Sequence, residues 1–339
     1  MPATSNYSLN SYGFGSGGGA NSTTSTYALE GITGEVSGQT ASTATYSAKP
    51  GFIETQQSNV PKVTISNPSN YYDKLKFVID TQSNPTDAKY ALQISTTSNF
   101  SSNINYVKSD LTIGPTLTTT DYQTFSVWGG STGANIIGLA ANTTYYLRAK
   151  VTHVKTFNGI STESGYGPAT NAATVGQQLS FCLYTGVNCG AGGSSEAFSA
   201  IPPATVTNSP SNIGVDFATN ADAGGKVYIY SANGGLKSTT ASYTMTSATA
   251  DLSSASEGFG AQVASVSQST GGPLSKVSPF NGSGNNVGLL ATTIASIFSS
   301  TNPLTGGTGA TTLKVKPSNT TPAATDYSET ITVIAAAAF

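Results

Sequence analysis

One histidine, two cysteines and sixteen carboxylates are the groups on which acid–base, nucleophilic or metal chemistry in this chain would have to rest. His153 lies in "YYLRAKVTHVKTF", between Val151 and Val154, where a strand would turn it outward as an ordinary polar residue. A Ser-His-Asp triad would depend on this single residue. Cys182 and Cys189 sit in "FCLYTGVNCGAGG" and bracket a turn; they read as a disulfide, with two free thiols in a reducing compartment as the alternative. Zinc would need further ligands, and the histidine is remote in sequence from both cysteines. Asp80, Asp87, Asp216, Asp222, Asp251 and Asp326 stand near strand ends or turns, where an aspartate ordinarily bonds to the backbone. A calcium site assembled from "NADAGG" or "DTQSNPTD" is the one metal alternative, because hard cations take several oxygens; neither stretch has EF-hand spacing. "GFGSGGGA" lacks the Lys-Ser/Thr that follows a phosphate loop, so it reads as a linker. The expectation is a protein that is not an enzyme and holds no cofactor.

The elements that must position these residues follow from composition. Charged residues make up 9% of 339, against roughly a quarter in ordinary soluble domains. Net charge is −2, and Arg148 is the only arginine, which argues against a nucleic-acid surface. Ser, Thr, Asn and Gly dominate, as they do where short strands with polar outer faces alternate with tight turns. No apolar run is long enough to span a membrane. "MPATSNYSLN" has neither a basic start nor an apolar run, so the expectation is an exported protein whose signal peptide has been removed.

Three segments are expected. In 1–58, "YSLNSYGF", "YALEGITGEV" and "YSAKPGFIET" alternate apolar and polar residues, each led by a tyrosine, at spacings of 20 and 19. Such pieces cannot bury an apolar face alone. In 59–175, "KVTISNP", "KLKFVIDT", "KYALQISTT", "INYVKSD", "YQTFSVWG", "TYYLRAKVTHV" and "ATNAATV" make seven alternating segments, the pattern of a β-sandwich. In 176–339, "IGVDFATNADAGGKVYIYSANGGL" reads as strand, turn, strand, turn, and "EGFGAQVASV" and "TTLKVKPSNTTPAATDYSETITVIAAAAF" supply later strands. "VGLLATTIASIFSS" has helix-like spacing at Leu290, Ile294 and Ile297/Phe298, and is equally compatible with two strands. The fold class is all-β: tandem sandwiches behind a strand-forming N-terminal extension.

"GLAANTTYYLRAKV" followed by "GISTESGYGPATNAAT" resembles the late strands of a fibronectin type III domain, with Leu139, Thr143, Tyr145 and Arg148 on the pattern. The resemblance implies that Tyr145 is a corner tyrosine whose hydroxyl bonds back to the backbone. The usual strand-B tryptophan is missing, with Phe77 as its replacement, and Trp128 lies elsewhere. The third segment resembles secreted bacterial surface domains found in envelope proteins of candidate-phyla bacteria. The carriers are the Cys-containing strand Leu179 to Cys182, "TNADAGGKVYIYSANGGL", "EGFGAQV" and the closing "TTPAATDYSETITVIAAAAF". That resemblance implies an exported surface location and a β-sandwich.

The function expected is a structural subunit of the cell exterior that polymerises with copies of itself, as a pilus-like fibre or a surface layer. Tyr7, Leu9, Tyr27, Leu29, Ile32, Tyr46 and Phe52 are the candidate subunit contacts. The alternative is a monomeric adhesin or glycan-binding module, with Tyr71-Tyr72, Tyr145-Tyr146, Tyr228/Tyr230 and Trp128 as candidate sugar-stacking rings.

Overall fold

The computed structural model describes residues 58–154, 161–191, 193 and 195–339, together with five short strands nearer the N-terminus. Those five are β1 (Ser8–Tyr12), β2 (Ala20–Thr23), β3 (Ala28–Leu29), β4 (Ala41–Ser42) and β5 (Ser47–Ala48). β1, β2 and β3 form an antiparallel sheet in that order, and β4 pairs with β5. The chain is all-β and divides into two compact units, Met1–Val175 and Gly176–Phe339.

The first unit continues with β6 (Lys62–Ser66), β7 (Leu75–Asp80), β8 (Lys89–Ser95), β9 (Asn105–Val107), β10 (Ile113–Gly114) and β11 (Gln123–Thr124). β12 (Ala134–Ile136), β13 (Thr144–Val154), β14 (Ser161–Glu163) and β15 (Thr170–Ala173) complete it. One sheet has the order β12-β7-β6; the other runs β10-β9-β8-β13, with β14 and β15 both on the far side of β13. The alternation explains the burial. Val63 and Ile65, then Leu75, Phe77 and Ile79, then Leu147, Ala149 and Val151 all point into one core.

Two features depart from the sequence expectation. "YQTFSVWG" is not a strand beyond Gln123–Thr124; it becomes a turn and a short 3-10 segment at Gly130–Thr132. That turn carries Trp128 inward, where it is 2% exposed, stands edge-on to Phe77 at 5.6 Å and donates its indole N–H to the Tyr90 carbonyl at 2.8 Å. Trp128 thus joins Phe77 in the core. Its burial, and that of Tyr145 at 5%, removes both from the candidate sugar-stacking rings. Tyr145 instead accepts the Ala140 N–H on its hydroxyl at 2.9 Å.

The second unit contains β16 (Leu179–Thr185), β17 (Thr207–Asn208), β18 (Ile213–Thr219), β19 (Gly225–Ser231), β20 (Gly235–Ser238), β21 (Tyr243–Thr246) and β22 (Ala250–Asp251). It ends with β23 (Gly258–Ser267), β24 (Thr270–Gly271), β25 (Ser275–Lys276), β26 (Asn286–Val287), β27 (Ala295–Ser300), β28 (Leu304–Lys316) and β29 (Ile331–Ala337). One sheet is built on the long β28, which pairs with β18 and β17 along one side and with β23 and β24 along the other; β16 extends it beyond β18. The second sheet runs β25-β27-β19-β29. Val215, Phe217, Phe259 and Val315 from the first meet Val227, Ile229 and Phe298 from the second.

Of "VGLLATTIASIFSS", only the ends are strand, in β26 and β27, and residues 289–294 between them are irregular. The β19–β27 register shifts between Val227 and Tyr228, so that β27 carries an extra residue and both Ile297 and Phe298 turn inward, each 1% exposed. The bulge accounts for the adjacent inward pair without a helix, while Ile294, 57% exposed, lies outside the core.

Candidate functional site

The chemistry-bearing residues are dispersed. His153 on β13 pairs through Nε2 with Asp87 at 3.1 Å. Cys182 on β16 is joined to Cys189 by a disulfide, with Cα atoms 6.0 Å apart. Among the described residues, no group of three or more His, Cys, Asp or Glu is placed to hold a metal. Of the two calcium candidates, Asp80 already accepts from Gln82, at 3.1 Å from its backbone N–H and 2.6 Å from its side-chain amide. Sequence reasoning misses one spacing: Gly129-Gly130-Ser131-Thr132-Gly133 has the G-x-S-x-G arrangement of a hydrolase elbow. Here it forms a 3-10 turn between β11 and β12, not a strand-to-helix corner. Its glycines serve the core instead. Gly129 and Gly133 have φ of 88° and 74°, and a Cβ on Gly133 would collide with the Phe77 carbonyl.

On the outer face of the β8–β13 sheet, cations and rings interleave. The Arg148 guanidinium lies 4.1 Å from the Phe100 ring centre and 4.5 Å from that of Tyr166, and its Nε donates to Gln93 at 2.7 Å. Lys150 stands 5.3 Å from Tyr166, 5.5 Å from Tyr122 and 2.7 Å from the Glu163 carboxylate, which also accepts the Tyr122 hydroxyl at 2.5 Å. Burial pushes the Tyr166 phenol up to about 12, against the pull of Lys150. Burial would raise Glu163 as well, but the bonds from Lys150 and Tyr122 outweigh it and hold the carboxyl below its usual range. The cluster is therefore an aromatic patch with two cations, Arg148 and Lys150, to one carboxylate, Glu163.

The second unit has an open side. Among the described residues, β16 and β29 are the outermost strands of their sheets, and each pairs along its length with one neighbour, β18 and β19 respectively. Phe181 packs on the core from β16, yet Leu179 and Leu183, two residues to either side, are 42% and 41% exposed. On β29 the core-facing Ile331, Val333 and Ala335 are only half-buried. Between them lies a cleft of about 1070 Å³ whose walls include Leu183, Phe198, Ile213, Phe259, Ile331 and Val333. Its carboxylates are engaged: Glu196 accepts the Ser211 N–H at 2.6 Å, and Glu329 accepts backbone N–H groups of Ala232, Asn233 and Gly235.

The two edges differ in protection. β16 ends in a bridge from Thr185 to Gly193, and its disulfide ties the following turn back to the strand. β29, "ITVIAAA", has no charge, no proline and no register shift. Ala232 N–H donates to the Thr330 carbonyl, and Ala338 N–H to the Gly224 carbonyl, so the even-numbered residues between them face β19. The N–H and C=O groups of Ile331, Val333, Ala335 and Ala337 therefore face outward. Natural sheets ordinarily guard such an edge with lysine, proline or a bulge.

No family model, curated protein or solved structure matches this chain.

Of the candidate subunit contacts, Leu9 lies on β1 opposite Ser22, and Leu29 lies on β3 opposite the same Ser22. Tyr7, Tyr27, Ile32, Tyr46 and Phe52 lie outside the described residues.

One carboxylate near the cleft gives a pH prediction. Asp326 accepts the Ser238 hydroxyl at 2.5 Å and the Thr239 and Thr240 N–H groups at 3.0 and 2.9 Å. These bonds, the Ser238 hydroxyl foremost, hold its carboxyl well below the usual range. A depressed folded-state value contributes stability above the unfolded value of about 4 and loses it as pH falls. In calorimetric scans, Asp326→Asn is expected to lower the melting temperature of the second unit at about pH 7, and the deficit is expected to shrink progressively as pH falls below the unfolded value of about 4. A deficit that stays constant with pH would remove the assignment.

Proposed function

We propose that this chain is a non-enzymatic structural protein of the bacterial cell surface that assembles with copies of itself through β-strand contacts. The observation that carries this reading is the bare, uncharged edge of β29. An exposed edge offers backbone bonds to any second strand, and a contact between unlike surfaces propagates into fibres or sheets. The disulfide supports an oxidising, exported setting. A fibronectin type III-like identity for the first unit is supported by its two sheets. β6, β7 and β12 correspond in order to strands A, B and E, and β9, β8, β13 and β15 to C′, C, F and G. The Tyr145–Ala140 bond stands where a corner tyrosine makes it.

A second reading, a glycan-binding surface module, draws on the Tyr122–Tyr166–Lys150–Glu163 patch, where ring faces lie beside polar groups.

The test is negative-stain imaging and size-exclusion chromatography of the purified chain over a range of concentrations. Assemblies are expected. Ile334→Lys with Ala336→Lys, both outward on β29 and exposed, should disperse them while leaving circular dichroism unchanged. Monodisperse particles at every concentration would overturn the assembly reading. A monomer that binds a glycan and loses it on Tyr166→Ala would favour the second.

A further inference from the structure

The cleft and the edge of β29 are one feature. Ile331 and Val333 turn their side chains into the cleft, while the backbone groups of the same residues face outward along the unpaired side. A strand laid against β29 would therefore bond to its backbone and drop alternate side chains into the cleft. This is the arrangement by which an extended segment completes a sheet, with backbone bonds giving affinity and alternate pockets giving specificity.

The cleft restricts its occupant. Its floor is core: Ile213, Leu236, Met245, Phe259 and Leu313 are all at most 9% exposed. Its acids, Glu196 and Glu329, are already bonded to backbone N–H groups. An acidic side chain placed there would lose its hydration beside two carboxylates, and a cation would have to compete with the N–H groups that already hold them. The occupant must be extended, uncharged, and apolar at the alternate positions that enter the cleft beside Ile331 and Val333.

We infer that the cleft beside β29 receives the uncharged N-terminal stretch of a second copy of this chain, within Pro2–Leu29. That stretch contains no Asp, Glu, Lys, Arg or His. It places large side chains two apart at Tyr7 and Leu9 and again at Tyr27 and Leu29. It already takes extended backbone at β1, β2 and β3, where β2 and β3 share only two residue pairs. Exchange of so short a ladder for a cleft with a free edge favours the donated state. The inference rests on the self-assembly reading and supplies its acceptor.

The test uses the full-length protein and a synthetic peptide of residues 1–29. Binding is followed by fluorescence anisotropy and by amide hydrogen exchange. The peptide is expected to slow exchange at the outward amides of β29, Ile331, Val333, Ala335 and Ala337, by about tenfold or more, and not at strands of the first unit. A peptide with Leu9→Asp and Leu29→Asp should bind at least about tenfold more weakly. Saturating peptide should also break up assemblies of the full chain.

Failures of the two readings are distinguishable. Assemblies that vanish with the Ile334→Lys/Ala336→Lys pair, yet neither bind the peptide nor change on deletion of residues 1–57, leave self-assembly standing and overturn the cleft as acceptor. Peptide binding with β29 protection, in a chain that never assembles, upholds the cleft and overturns assembly. A full-length chain that ignores the peptide, while the chain lacking residues 1–57 binds it, places the occupant in the same molecule and overturns donation to a second copy.

Discussion

Trp128→Ala is expected to destabilise the first unit by about 3–5 kcal/mol, which is the cost of deleting a large buried ring. The residue is 2% exposed and supplies volume that no strand of the unit provides. It comes from the turn after β11, stands edge-on to Phe77 at 5.6 Å, and donates to the Tyr90 carbonyl. Alanine would leave a cavity against Phe77 and remove the indole N–H that ties this turn to the Tyr90 carbonyl on β8. In a domain of about 100 residues each kcal/mol shifts the melting point by roughly 4–8 °C, so a fall of at least about 12 °C should appear in calorimetry. Trp128→Phe keeps most of the ring and loses the N–H, and should fall about 1–2 kcal/mol below the parent. Because Trp128 is the only tryptophan, its emission, excited selectively over the tyrosines, reports on this unit alone. If Trp128→Ala melts with the parent, the turn is not part of the core.

Phe298→Ala should act with similar size on the second unit, at about 3–5 kcal/mol. Phe298 is turned inward by the β27 bulge and is 1% exposed. Its ring lies over Gly309 of β28 in the opposite sheet, and a Cβ there would come within 2.5–2.8 Å of the ring. The pair is a knob in a hole between the two sheets. Gly309→Ala alone should therefore cost about 1–3 kcal/mol by overpacking. Combined with Phe298→Leu, Gly309→Ala should become less harmful than it is alone, because the smaller side chain vacates the space the methyl needs. Chemical denaturation followed by circular dichroism measures all four proteins. Strict additivity would show that the two residues do not share one site.

Both predictions turn on residues whose element the sequence leaves open, as for Phe298, or places wrongly, as for Trp128. Phe298 belongs to an apolar run whose spacing suits a helix as well as a strand, because the bulge that turns two neighbours inward is set by pairing with β19. Trp128 sits in a stretch that alternates like a strand, and glycines at 129, 130 and 133 bend it into a turn instead. The bond of the Ala140 N–H to the Tyr145 hydroxyl, five residues away, is one that the fibronectin type III resemblance implies. His153 is legible from local pattern: a period of two along β13 puts it outside whatever the strand pairs with.

The candidate site was the least legible part. Alternation in "ITVIAAA" announces a strand with one apolar face, and it does so equally for a central strand and for an edge. The sequence by itself determined the all-β class, the low charge and the alternation of strands such as β6, β7 and β13, because each depends on composition or on neighbours within a few positions. Only the tertiary structure decided which strands stand outermost, that the sides of β16 and β29 are left open, and that a cleft lies between them. Which strands become edges is fixed by hydrogen bonds to residues far away in sequence, and a strand carries no local mark of a partner it lacks.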